Sequence, residues 1–419
     1  MSFNPLQESG LPLEKQFRNW RDLNVTPYDK EAVHPYGRCR GIVANGIEVE
    51  SIMFSHSLAR NTLDLEVKRQ LALVRRIEAQ QQKAMNWLIP GDETTLEVTL
   101  GYEQVAVDLT SWVAQNEPDA YLRQVYEFGL LEDFDHLYRY ANLYDLLDSK
   151  KAEKIVGGLT EITPGRPTIF EHRDPRDEIR RPMTALAADP QSVLNALTVM
   201  SAEQQTMNFY NTIGNRFVEP LARGLYLEIA QIEEQHVSHY ESILDPGCTM
   251  LENLAFHEYN ECWIYYSFMQ EETDPKVKAL YELHLAMEIE HLRIACELVK
   301  KVERRDPLEF LPESIERPLQ FKENKEYVRQ VLANQVDLTS KETEFVPVSS
   351  LQPDDRYFAY NGTVNAGWVP TEDVITQTIE ARGEEYRLET EGPNPVPGLR
   401  RKEERKTAST DYAKRIAAE

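Results

Sequence analysis

Apolar residues recur every three or four positions through most of the first 305 residues, and this period predicts long α-helices. The predicted helices cover 61–89, 95–116, 119–148, 190–217, 221–244, 249–270 and 276–302. Most breaks between them are short turns with proline or glycine, such as Pro90-Gly91 and Asp245-Pro246-Gly247. Short turns favour antiparallel neighbouring helices. The pattern therefore predicts an all-α chain.

Three segments depart from this pattern. Residues 149–190 contain Gly157-Gly158 and several prolines, which predicts a crossover loop between helices. Residues 1–60 are predicted to form an extended arm, with a small hairpin at 41–49 because Asn45-Gly46 suits a tight β-turn. Residues 306–419 are predicted to form a largely irregular, proline-rich arm with one short helix near 323–335. The helical domain is thus expected at 61–305.

The helical pattern from 221 to 243 contains Glu233 and His236, which are three residues apart and share one face of a helix. The same face continues through Tyr226, Ile229 and Tyr240, so the acid and the imidazole are expected to be buried. A buried charge needs a partner. A metal ion is one such partner, and a simple Glu–His hydrogen bond is another.

The same arrangement occurs in three predicted helical hairpins, each with an acid in one helix and an acid-x-x-His pair in the next. The three sets are Glu103 with Asp133 and His136, Glu203 with Glu233 and His236, and Glu261 with Glu288 and His291. The first two sets are displaced by 100 residues at every position. Acids make up 70 of 419 residues, so the nine histidines should show one or two such pairs by chance, and four occur.

Helical bundles that bind two metal ions take a Glu from each of two helices and a Glu-x-x-His from each of the other two. On these residues the chain resembles the ferritin-like di-iron and di-manganese carboxylate superfamily, which includes rubrerythrins and manganese catalases. The resemblance implies a ferritin-like four-helix bundle with extra long helices over 61–305, flanked by extended N- and C-terminal arms. It also implies that each ion takes one His and one terminal acid, while the acids of the acid–His pairs bridge.

Two ligand sets are compatible with this pattern, and both use Glu203, Glu233 and His236. In the favoured set the partner hairpin supplies Glu103, Asp133 and His136, with 149–190 as the crossover. In the other set, Glu261, Glu288 and His291 complete the site. A centre that uses all three hairpins, or two separate centres, also remains open. Glu78 lies level with Glu103 and has Gln81 where a His would stand, so it is either a lapsed repeat or a helix surface.

Composition narrows the class of protein. The net charge of −24 argues against nucleic acid or an anionic membrane as the main partner. The four cysteines form no CxxC pair, which favours a reducing compartment, and no apolar run is long enough to span a bilayer. A cytoplasmic protein is therefore expected.

The resemblance implies an oxidoreductase whose di-iron centre, or alternatively dimanganese centre, reacts with dioxygen or peroxide and a small-molecule reductant or substrate. Carboxylate ligands without thiolates favour iron or manganese over zinc. Two other interpretations remain: a metal-binding or iron-handling protein without turnover, and a metal-free helical scaffold. In each case the terminal arms are expected to form a homo-oligomer.

Overall fold

The computed structural model describes residues 3–184, 188–315 and 317–401. These residues are mostly helical, and their only sheet is one two-stranded hairpin, so the prediction of an all-α chain is confirmed. The helices are α1 (Trp20–Leu23), α2 (Pro35–Asn61), α3 (Leu65–Asn86), α4 (Thr95–Asn116), α5 (Ala120–Asp148), α6 (Glu153–Val156), α7 (Pro190–Ile213), α8 (Pro220–Glu241), α9 (Met250–Glu271), α10 (Pro275–Leu298), α11 (Lys325–Gln335), α12 (Arg356–Val364) and α13 (Pro370–Arg382).

The long helices begin where the sequence supplies capping groups. Thr94 caps α4 and Thr249 caps α9, each in a reciprocal capping box with the glutamate three residues later. Asp274 caps α10, and Pro275 occupies its first position, as the sequence predicts. The predicted bounds of α3 to α5 and α7 to α10 agree with the structure to within about four residues.

The predicted N-terminal hairpin is wrong. Residues 41–49 lie inside α2, so the predicted arm over 1–60 ends where this helix begins, at Pro35. Gly46 serves close helix packing rather than a turn, because a Cβ atom there would lie 2.5 Å from Nε2 of Gln205 on α7. The Asn-Gly turn signal is local, and the contact with a distant helix overrides it.

The eight long helices form two four-helix bundles, one inserted in the sequence of the other. In the inserted bundle, α4 packs against α5, α7 packs against α8, and the two hairpins face each other through α4–α7 and α5–α8 contacts. In the flanking bundle, α2 packs against α3, α9 packs against α10, and these hairpins meet through α2–α9 and α3–α10 contacts. The first hairpin of the flanking bundle precedes the inserted bundle along the chain, and its second hairpin follows it.

The two bundles meet where α2 packs against α4 and α7, and where α7 packs against α9. A buried amide network crosses this contact. Asn45 on α2 donates to Gln205 on α7 at 2.7 Å and accepts from Gln82 on α3 at 2.7 Å. Gln205 also donates to the carbonyl of Ile42 at 2.8 Å. These bonds join three helices of both bundles into one polar contact.

The C-terminal segment is less irregular than predicted. Besides α11, which matches the predicted short helix, it contains α12, α13 and the antiparallel strands β1 (Leu338–Lys341) and β2 (Glu344–Pro347). Helix α13 packs across α5 and α8 of the inserted bundle. A backbone bridge between Ile162 and Leu388 ties the 149–189 connection to this segment. The arm therefore wraps its own chain, and its last residues, 402–419, lie outside the described residues.

In the part of the chain that the structure describes, no helix is both long enough and apolar enough to cross a membrane.

Candidate metal centre

The four helices of the inserted bundle each place an acid near mid-length, and two of them add a histidine. Helix α4 contributes Glu103 and α7 contributes Glu203, while α5 and α8 contribute the acid–His pairs. All six residues are at most 1% exposed. We call them the first cluster: Glu103, Asp133, His136, Glu203, Glu233 and His236. The six residues of the favoured ligand set are thus brought together.

The ligand atoms of the first cluster form two overlapping groups. Atoms of Asp133, Glu203, Glu233 and His236 lie within 4.8 Å of one another, and so do atoms of Glu103, His136 and Glu233. Only Glu233 belongs to both groups. Asp133, which the sequence pairs with Glu233 as a second bridge, belongs to one group, in keeping with a side chain one methylene shorter than Glu.

Both imidazoles turn Nδ1 toward the carboxylates. His136 Nδ1 lies 3.0 Å from Glu233 Oε1. His236 Nδ1 lies 3.2 Å from Asp133 Oδ1, 3.5 Å from Glu203 Oε2 and 3.4 Å from Glu233 Oε2. The two rings stack with their centroids 5.6 Å apart. Two nitrogen atoms and several carboxylate oxygens therefore converge on one buried volume.

The opposite nitrogen of each ring faces an acid held by arginine. His236 Nε2 lies 2.9 Å from Glu132 Oε2, and Glu132 accepts from Arg166 at 2.7 Å and from Arg173 at 2.6 Å. A carboxylate partner at Nε2 favours the tautomer whose Nδ1 carries a free lone pair. His136 is similar but looser, with Nε2 3.7 Å from Glu171 Oε2. Arg139 donates to Glu171 in turn.

Several atoms that face the interior of the first cluster have no hydrogen-bond partner. They are both carboxylate oxygens of Asp133, one oxygen each of Glu103 and Glu233, and Nδ1 of His236. A buried polar atom without a partner costs roughly 1–3 kcal/mol. Because all of these atoms are acceptors in the favoured tautomer, the group that fits among them is a cation. The residue types and their convergence therefore suit divalent metal ions.

Burial raises the pKa of several acids in this cluster. Burial and the neighbouring carboxylate of Glu203 raise the pKa of Asp133 to about 7. Burial also raises the pKa of Glu103 and of Glu233 well above the ordinary value, and nearby carboxylates add to the rise. Burial would lower the pKa of His236, but Asp133 outweighs it and the pKa lies well above its usual range. The surroundings of these acids therefore supply too little positive charge to offset their burial.

Tyrosines pack beside the first cluster. Tyr210 on α7 donates a hydrogen bond to Glu103 Oε1. Tyr140 packs against Tyr210 and Tyr226 with ring centroids 5.3 and 4.9 Å away, and its hydroxyl has no hydrogen-bond partner. Tyr210 therefore orients a candidate ligand, whereas Tyr140 fills the space behind it.

The remaining predicted residues, Glu261, Glu288 and His291, lie in the flanking bundle. The ligand set that joined them to Glu203, Glu233 and His236 is therefore wrong. They belong to a second cluster, with ligand atoms of Glu48, Glu261 and Glu288 within 4.8 Å of one another, and likewise those of Glu78, Glu258 and His291. The second cluster comprises Glu48, Glu78, Glu258, Glu261, Glu288 and His291.

The two clusters occupy corresponding places in their bundles. Glu48 precedes Glu78 by 30 residues, as Glu103 precedes Asp133 and Glu203 precedes Glu233. Gln81 stands where His136 stands in the first cluster, and its amide donates to Glu288. Tyr265 donates to Glu48 at 2.5 Å, as Tyr210 does to Glu103. Glu78 therefore belongs to a second buried cluster and does not lie on a helix surface.

The acids of the second cluster are also perturbed. Burial raises the pKa of Glu78 to about 7 and the pKa values of Glu48, Glu258 and Glu261 well above the ordinary value. Glu288 is the exception, because His291 outweighs burial and holds its pKa at about 2.

Sequence reasoning missed Glu48, Glu258 and the outer partners of the histidines, which are Glu132, Glu171 and Gln16. The 30-residue spacing from Glu48 to Glu78 could have revealed the first of these. No local signal marks Glu132 or Glu171, because the connection between α5 and α7 brings Arg166 and Arg173 to Glu132 and brings Glu171 to Arg139 on α5. Comparisons of the chain with family models, with curated proteins and with solved structures give no match.

Proposed function

We propose that the inserted bundle is a ferritin-like four-helix bundle whose first cluster binds two iron or manganese ions. The chain is then an oxidoreductase that acts on dioxygen or peroxide. One observation carries this proposal: between them, the two imidazoles turn Nδ1 toward three buried carboxylates, those of Asp133, Glu203 and Glu233, while each Nε2 faces an acid held by arginine. If each acid–His pair were only a hydrogen bond, it would need neither the outer acids Glu132 and Glu171 nor the unpartnered oxygens.

The distances suggest a division of the ligands. Glu233 would hold both ions because it belongs to both groups of ligand atoms. Glu103 and His136 would complete one site, and Asp133, Glu203 and His236 would complete the other. Iron or manganese bound in this way supplies one-electron redox chemistry and a position for an oxygen ligand.

The protein's own residues keep this site dry and oriented. All six ligand candidates are at most 1% exposed, which excludes bulk water from the cluster. Glu132 accepts a hydrogen bond from Nε2–H of His236, which leaves Nδ1 as the atom that would donate an electron pair to an ion. Tyr210 donates a hydrogen bond from its hydroxyl to Glu103 and fixes the direction of that carboxylate. These contacts hold the donor atoms in place before any ion arrives.

Elemental analysis of protein purified without added metal tests the first part of the proposal. Glu233→Ala should lose two iron or manganese ions per chain relative to wild type, because Glu233 serves both groups. His239→Gln is a matched control: His239 is equally buried on the same helix, but its described polar contacts are the carbonyl of Val125 at 3.2 Å and Glu178 at 3.9 Å, neither of which belongs to the first cluster. The proposal is overturned if a folded Glu233→Ala protein keeps the wild-type metal content.

Oxidant consumption tests the second part. Wild-type protein loaded with Fe²⁺ or Mn²⁺ should consume dioxygen or peroxide in the presence of a reductant, the Glu233→Ala variant should not, and the His239→Gln control should behave as wild type. Bound metal without any consumption of either oxidant would contradict the oxidoreductase and leave a protein that only binds metal.

A further inference from the structure

The second cluster gathers donor atoms from the four helices of the flanking bundle. Helix α2 supplies Glu48, α3 supplies Glu78, α9 supplies Glu258 and Glu261, and α10 supplies Glu288 and His291. All six are at most 1% exposed. Their ligand atoms fall into two groups of three, neither of which shares a residue with the other. One group is all carboxylate, and the other contains the imidazole.

Unpartnered atoms point into this cluster. Both carboxylate oxygens of Glu78 and of Glu261 lack a hydrogen-bond partner, as does one oxygen each of Glu48 and Glu258. Glu78 and Glu261 are completely buried. Six buried oxygens without a hydrogen-bond donor among the described residues suit a hard cation as its donor set.

The orientation of His291 is set from outside the cluster. The Gln16 amide donates through Nε2 to the carbonyl of Leu11 at 2.6 Å, so its oxygen faces His291 Nε2 at 2.8 Å and accepts from it. Nδ1 of His291 is therefore the ring nitrogen that faces the cluster, 2.9 Å from Glu288 Oε2 and 3.8 Å from Glu258 Oε2. A metal ion there would take the Nδ1 electron pair in place of a proton shared with Glu288.

The charge of the second cluster also indicates a bound cation. It contains five carboxylates and one imidazole. Among the described residues, its ion pairs involve only His291, and no lysine or arginine pairs with any of the five acids. In the first cluster, by contrast, arginines neutralise the outer acids Glu132 and Glu171. Two divalent ions would supply four of the missing positive charges.

We infer that the second cluster is a second metal centre, which binds two divalent ions of the Mn²⁺ or Fe²⁺ class. Glu48, Glu261 and Glu288 hold one ion, and Glu78, Glu258 and His291 hold the other. This centre differs from the first because Gln81 replaces an imidazole ligand, so its donors are almost all oxygen. It therefore favours Mn²⁺ over softer ions such as Zn²⁺. Its ligands join the two hairpins of the flanking bundle, so bound Mn²⁺ also stabilises that bundle.

The test counts Mn²⁺ ions in metal-free full-length protein titrated with Mn²⁺, by elemental analysis after gel filtration and by electron paramagnetic resonance. Wild type should bind four ions per chain. Glu261→Gln and Glu78→Gln should each lose one ion, or bind it at least tenfold more weakly. Glu297→Gln, an exposed change on α10, should bind four. The centre is overturned if both folded glutamine variants keep the wild-type count.

Thermal melting separates a metal ligand from a structural acid. Without metal, each glutamine variant should melt above wild type, because its amide N–H₂ group can donate to the unpartnered carboxylate oxygens around it. With Mn²⁺, the order should reverse. If Glu261→Gln or Glu78→Gln lowers the metal-free melting temperature and leaves the Mn²⁺-induced rise unchanged, the acids are structural and the second centre is wrong.

The first cluster supplies an internal reference. Glu233→Ala should retain the two Mn²⁺ ions assigned to the second cluster. If that variant binds no Mn²⁺ while wild type binds two, the second centre is overturned and the proposed function stands. If Glu233→Ala changes nothing but the flanking-bundle variants lose ions, the proposed function fails and the second centre stands.

Discussion

Replacing Glu132 tests how the outer acids orient the histidines of the first cluster. It accepts hydrogen bonds from Arg166 and Arg173 and faces Nε2 of His236, and all four residues are at most 1% exposed. We expect Glu132→Gln to have two effects. Arg166 loses its only carboxylate partner among the described residues, and His236 loses the charge that favours a lone pair on Nδ1.

The structure sets the size of both effects. Removing one partner of a buried ion pair costs about 3–5 kcal/mol of folding free energy. Arg173 keeps Glu178 as a second partner, so the cost falls mainly on Arg166. Replacing a carboxylate that orients a ligating histidine typically weakens metal binding about 10–100-fold. The Mn²⁺ affinity of the first cluster should fall by that factor, without loss of a ligand.

Isothermal titration of metal-free protein with Mn²⁺ measures the affinity, and calorimetric melting measures the stability. Glu178→Gln is the matched control, because Glu178 pairs with Arg173 but does not contact His236. It should lower the melting temperature and leave the Mn²⁺ affinity of the first cluster within about twofold. Equal affinity losses in the two variants, or none in Glu132→Gln, would refute the positioning role of Glu132.

Two further predictions concern stability. Burial raises the pKa of Asp108 from 3.8 to about 7, so the folded chain keeps this proton where the unfolded chain has lost it, and stability falls as pH rises between these values. Asp108→Asn removes this loss. Its melting temperature should exceed that of wild type by more at pH 8 than at pH 4.5, and the gain in the free energy of unfolding should reach about 4 kcal/mol at about 1.4 kcal/mol per pKa unit. A pH-independent difference in melting temperature would contradict the assignment. Gly46→Ala places a Cβ atom 2.5 Å from Nε2 of Gln205 and displaces the amide that bonds Asn45 and Ile42. It should therefore lower the free energy of unfolding in urea by about 1–3 kcal/mol. Gly362→Ala, which has open space around it, should not show that loss.

Local chemistry predicts the long helices well. Helix α4 covers the predicted 95–116, because Thr94 and Glu97 cap its start and Pro118 lies just beyond its end. The wrong prediction of a hairpin at 41–49 arises from a long-range contact instead. Asn45 and Gly46 look like a turn by themselves, yet their role depends on Gln205, which lies 160 positions away from Asn45. Long-range packing of this kind leaves no trace in a local pattern.

The candidate site was predictable where spacing along helices determines it. The 30-residue step groups Glu103 with Asp133 and Glu203 with Glu233, and it would have added Glu48 and Glu78. Which hairpins face each other depends on how the bundles pack, and the sequence left that choice open. The role of Glu132 was not predictable, because it depends on Arg166 and Arg173 in an irregular connection.

The insertion of one bundle within the other determines the order in which the chain can fold during synthesis. Residues 95–241 leave the ribosome as a contiguous unit and can close at once. The α2–α3 pair must wait until α10 is complete at Leu298, which is on the order of 10–40 seconds at roughly 5–20 residues per second. Throughout this delay the side of the α2–α3 hairpin that carries Glu48 and Glu78 lacks α9 and α10, the helices against which it packs in the folded chain. The nascent N-terminal hairpin is therefore the part of this chain most exposed to misassembly, and the part that a chaperone would protect.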